Sequence, residues 1–99
     1  MFTFEQIEQE QVQAQARLIE ATNKRTRLED TVVNLWEEVE YLEEVSTCYN
    51  LDNYKFNIRI NKAYQDYEEA LKQEHDLDNE IEDLEEKIDL LKALKRYYK

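Results

Sequence analysis

The sequence contains no glycine and no proline. Without glycine, a residue free to enter the left-handed backbone region is missing, and a glycine-rich phosphate-binding loop cannot be built. Without proline, no helix is kinked or stopped from within. There is one cysteine, Cys48, so no internal disulfide can form and a reducing, cytoplasmic setting is expected. No run of 18 apolar residues occurs, which removes a transmembrane helix, and the start Met1-Phe2-Thr3-Phe4 does not read as a signal peptide. Cations are also scarce. The 13 Lys and Arg residues stand against 24 Asp and Glu, and a net charge of -11 repels nucleic-acid phosphate and anionic membranes alike.

A heptad pattern is what the sequence has in abundance. Stepping from Phe4 by three and four residues in turn gives Phe4, Ile7, Gln11, Ala14, Leu18, Ala21, Arg25, Leu28, Val32, Leu35, Val39 and Leu42. The frame continues without a break through Ser46, Tyr49, Asn53 and Phe56 to Lys95 and Tyr98. With Phe4 at position a, all fourteen d positions are Ala, Ile, Leu, Phe or Tyr, in a chain only 41% hydrophobic. That is a coiled-coil seam. A mean hydropathy of -0.92 would otherwise suit a disordered chain, and the periodicity decides against it.

In a parallel dimer each a residue meets its own copy, which would bury Arg25, Glu74 and Lys95 against themselves. An antiparallel pairing sets a against d. Residues whose numbers add to 102 then share a layer: Phe4 with Tyr98, Ala14 with Ile88, Leu18 with Leu84, Ala21 with Ile81, Val32 with Ala70, Leu35 with Tyr67, Val39 with Ala63, and Leu42 with Ile60. Four alanines each face a β-branched residue, which interdigitates large against small. Arg25 and Glu74 fall in adjacent layers. In the same register the g positions bring together Glu38 and Arg59, Arg17 and Glu80, Lys24 and Glu80, and Glu10 and Lys87, with Arg17 near Lys87 and Glu38 near Asp66 as repulsive exceptions. These pairs set register more than stability.

The expected fold is therefore all-α, one domain over residues 1–99, with a helix at 4–47, a turn at 48–52 and a helix at 53–98 forming an antiparallel coiled-coil hairpin. Thr3 and Gln6 form a capping box, with Phe2 and Ile7 as its hydrophobic staple. Residues 46–53 are the poorest helix formers, and the symmetry point of the register falls among them, at Leu51. Asn50 could close the first helix and Asp52 cap the second, with Leu51 and Phe56 as a staple. Lys92, Lys95, Arg96 and Lys99 suit a helix C-terminus. Two alternatives share these layers. One is a swapped dimer of continuous helices. The other is a small β-hairpin at the tip, because Tyr54-Lys55-Phe56-Asn57-Ile58-Arg59-Ile60 alternates like a strand.

The e positions meet on the opposite flank, bringing Trp36 beside Tyr64 and Leu71, with Val33 on the same side. Such residues can simply thicken the seam. Trp and Tyr are also frequent anchors of protein interfaces, and two hairpins joined here would make a homodimeric four-helix bundle. Val12 and Ile19 extend an outer apolar stripe more weakly. An acidic face is expected at Glu74, Asp78, Glu82, Glu85, Glu86 and Asp89. Runs of this kind are usually solvated helix surface. The sharper reading is imitation of a nucleic-acid backbone, blocking a DNA- or RNA-binding protein as some small acidic phage proteins do.

Catalysis finds no support. His75, the sole histidine, is at an outer b position far in sequence from Cys48, and Asp76-x-Asp78-x-Glu80 lacks the glycine of a calcium loop. No cofactor or metal is implied. The nearest architectural analogy is to prefoldin-type chaperones, in which two helices flank a β tip and the open ends grip clients. Phe2, Phe4, Tyr97 and Tyr98 at the open end and the strand-like 54–60 segment fit that analogy, a chaperone being its implication, while the connection between the helices is short for it. The leading expectation is a cytoplasmic, non-enzymatic protein–protein interaction module that binds itself and another protein.

Overall fold

A computed structural model describes residues 3–49 and 54–98. The chain is all-α, with α1 at Phe4–Cys48 and α2 at Tyr54–Arg96 packed antiparallel as a helical hairpin. The start of α1 follows from its cap. The Thr3 backbone N–H donates to Gln6 Oε1 at 2.9 Å, and the Gln6 N–H donates to Thr3 Oγ1 at 3.2 Å. This reciprocal pair satisfies donors that the first helical turn leaves without partners. Inside α1, Thr31 and Thr47 return their hydroxyls to the carbonyls of Arg27 and Glu43, at 3.2 and 3.0 Å. Such back-bonding lets a β-branched polar residue sit in a helix.

α2 ends at Arg96, two residues before the sequence expectation. The N–H groups of Tyr97 and Tyr98 bond three residues back, to Leu94 and Lys95, so the last turn tightens instead of continuing as α-helix. The expected staple residues Phe2 and Leu51, the expected caps Asn50 and Asp52, and Asn53 and Lys99 lie outside the described residues.

The β-tip alternative is excluded over residues 54–60. Residues 54–60 are helical. Their alternation coincides with the heptad, and the helix puts Phe56 and Ile60 against a buried cluster of Val39, Leu42 and Ala63. A two-stranded ribbon would have had no comparable surface to cover. The cost of the helical choice is visible in Tyr54 and Ile58, which stay exposed.

Two packed units divide the chain: Met1–Arg25 with Asp76–Lys99, and Thr26–His75. In the first, Ala14, Ala21, Leu84 and Ile88 form the buried cluster, with Leu18, Leu77 and Ile81 packed on it. Phe4 and Tyr98 close that unit with ring centroids 6.3 Å apart, the outermost layer of the register. Glu10 and Lys87 pair at 3.1 Å, as the g positions require. In the second unit Val39, Leu42 and Ala63 are surrounded by Phe56, Ile60, Tyr64 and Tyr67. Every buried hydrophobic residue described lies on an a or d position.

Other ion pairs depart from expectation. Lys24 pairs with Glu20 one turn back, at 3.3 Å, although Glu80 lines the same shallow depression. An intrahelical partner is always within reach and requires no ordering across the interface. Glu38 and Arg59 form no ion pair among those of the described residues. Arg25 donates from Nε to Asp78 Oδ1 at 2.8 Å.

Two stability tests follow from these contacts. Leu42→Ala removes a side chain only 4% exposed and is expected to cost about 2–4 kcal/mol in urea melts followed by circular dichroism. A loss below about 1 kcal/mol would show that this cluster is not a packed core. Thr3→Ala should cost about 0.5–2 kcal/mol and Thr3→Ser very little, whereas equal losses would deny the cap its role.

Candidate functional site: an aromatic flank with an acidic rim

Two stripes on the second unit follow the same b and e spacing. On α1 they are Glu29, Val33, Trp36, Glu40 and Glu43; on α2, Asn61, Tyr64, Glu68, Leu71 and His75. Steps of four and three keep each stripe on one helix face, beside the seam rather than within it. Val33 is 51% exposed, Trp36 39% and Leu71 38%, so all three are substantially open to solvent. Tyr64 is half-buried and packs on the Val39, Leu42 and Ala63 cluster.

The structure gives Trp36 a ring partner that the sequence did not name. Its indole lies 5.0 Å from the Tyr67 ring, centroid to centroid, at an interplanar angle of 42°. That spacing is a favourable tilted contact, made by the only tryptophan of the chain. Tyr67 was assigned to the seam opposite Leu35; its ring is long enough to reach the flank as well.

Tyr64 has a second attachment. Its hydroxyl donates to the Glu43 carboxylate. Both are e positions, and their numbers add to 107, a meeting that the register implied without its being drawn. The bond to the Glu43 carboxylate is the main cause raising the Tyr64 phenol above its ordinary value near 10.0, with partial desolvation and the nearby negative charge adding to it.

The acidic face is less uniform than its sequence suggests. Glu74 is half-buried in the seam, and Asp78 is engaged by Arg25. Glu82, Glu85, Glu86 and Asp89 are exposed. Among the described residues no group of three or more His, Cys, Asp or Glu side chains is arranged to hold a metal ion, and no helix is long and apolar enough to cross a membrane. Cys48 is a free, exposed thiol.

Comparison of the chain with family models, with curated proteins and with solved structures finds no match.

The tyrosine–glutamate bond is testable by its proton. Because the folded state holds the Tyr64 proton more tightly than the unfolded chain, its contribution to stability is complete below about pH 10 and is lost as pH rises through the raised value. Ultraviolet titration of the wild type minus Tyr64→Phe should isolate one phenol ionising above the ordinary value near 10.0. Glu43→Gln should lower that midpoint. A Tyr64 midpoint at the ordinary phenol value would rule the bond out.

Proposed function

We propose that this protein is a non-enzymatic protein–protein interaction module whose docking surface is the flank formed by Val33, Trp36, Tyr64 and Leu71. One observation carries the reading: a tryptophan in tilted contact with Tyr67 keeps more than a third of its surface in water, as do Val33 and Leu71. Aromatic anchors held in one pose lose little side-chain entropy on binding, and they concentrate binding energy when a partner covers them. A helical element laid along this flank would add to the pair of helices, making a four-helix bundle where the occupant is itself a hairpin.

The chaperone analogy loses its main support, because the 54–60 segment is helix rather than a β tip. Imitation of a nucleic-acid backbone draws on the exposed Glu82, Glu85, Glu86 and Asp89. The interspersed Lys87 and Lys92 weaken the field that such imitation needs, and the apolar flank is no part of it.

The double variant Trp36→Lys and Leu71→Lys tests the proposal in two arms. Light scattering reports self-association, and parallel capture from host extract compares what wild type and variant retain. The expected result is a partner, whether a second copy or another protein, held by wild type and lost by a variant that is still helical by circular dichroism. The same mass and the same captured proteins for both would overturn the assignment of this surface.

A further inference from the structure

The charges around the flank narrow what can occupy it. Glu29 and Glu40 continue the Val33–Trp36 stripe in both directions, Glu43 follows at the next step, and Glu68 lies between Tyr64 and Leu71. All four carboxylates belong to exposed residues, and neither stripe contains a Lys or Arg. A two-fold pairing of this face with its own copy would set Glu29, Glu40, Glu43 and Glu68 against an identical set, with Asn61 and His75 at the two ends of the α2 stripe. The homodimer expected from the sequence therefore brings like charges together with no cation of the stripes to separate them. An apolar centre with a rim of a single sign fits a partner of opposite sign.

We propose that the occupant of this flank is a basic amphipathic helix of another protein, one whose apolar side chains recur at i, i+3, i+4 and i+7 with Lys or Arg on either side. The proposal rests on the docking surface argued above and names its partner's chemistry. The apolar stripe covers Trp36, Val33 and Leu71, and the bordering cations meet Glu40, Glu43 and Glu68. Apolar contact sets affinity, while the charged rim sets orientation and rejects acidic helices, a second copy of this chain included.

The single tryptophan makes the test direct, because Trp36 fluorescence reports only from this surface. The probes are a synthetic amphipathic helix with leucines at that spacing flanked by lysines, the same peptide flanked by glutamates, and a scrambled peptide of the lysine composition. The lysine-flanked helix is expected to shift Trp36 emission to the blue and protect it from iodide, with saturation. The other two peptides should leave it unchanged. Glu40→Gln with Glu68→Gln should weaken binding roughly 3- to 10-fold and reduce its salt dependence. Glu82→Gln with Glu86→Gln, on the other unit, should change little, which separates a local rim from the general charge of -11. Equal binding by the scrambled peptide, or equal losses from the two pairs of Gln variants, would overturn the proposal. If no peptide binds but the protein dimerises in a manner abolished by Trp36→Lys, the docking surface stands and a second copy is its occupant, which overturns the basic helix alone. If neither peptide nor copy binds, both readings fall.

Discussion

Two paired helices have no interior except the line along which they touch. Each residue on that line must lose most of its water to its opposite number, so the meshing of a and d side chains constrains the rest of the structure. Ile7 and Val39, 1% and 0% exposed, show that even so narrow a seam can exclude solvent. Full burial of side chains of this size contributes about 1.5–3 kcal/mol each, several times an exposed ion pair at about 0.2–1 kcal/mol. The seam therefore fixes the register, and the flanking charges follow it.

This ordering explains what could be read from the residues. The alternation of alanine with β-branched residues specified the antiparallel register, because a small residue opposite a large one is a volume match that a shifted register would break. The Thr3–Gln6 box was equally legible, being a local interaction of fixed spacing. Ion pairing was less so. Glu10 and Lys87 meet across the helices, whereas Lys24 turns to Glu20 on its own. Exposed long side chains choose among partners differing by only a few tenths of a kcal/mol, and sequence spacing does not resolve such differences. The β tip stood as an alternative because strand and heptad patterns share Phe56 and Ile60, so the decision lay with packing partners distant in sequence.

The candidate flank was legible in its location but not in its detail. Heptad letters treat each residue as a point, and by them Val33, Trp36, Tyr64 and Leu71 fall outside the a and d positions. They do not represent the reach of an aromatic ring, and so the contact of Tyr67 with Trp36 went unseen. Nor do they give weight to a single hydrogen bond, although Tyr64 and Glu43 occupy positions that meet in the register.

Polar residues within the seam explain why this chain favours one arrangement. Arg25 and Lys95 occupy a positions, where full burial of a charge would be costly. Each instead runs its apolar stem along the interface and delivers its charge to the edge: Arg25 to Asp78 at 2.8 Å, Lys95 to Glu8 at 3.2 Å with its ammonium 5.4 Å from the centre of the Phe4 ring. Those carboxylates occupy flanking positions that the antiparallel register brings alongside. In a parallel pairing each cation would face its own copy. Stability lost by placing cations in an apolar seam thus returns as discrimination between arrangements, the use of interior polar groups best supported in coiled coils. The aromatic flank extends the same logic outward. There exposed apolar surface stands beside carboxylates, while the Trp36–Tyr67 contact and the Tyr64–Glu43 bond also tie α1 to α2; on the docking reading proposed above, the part left in water is what would select a partner.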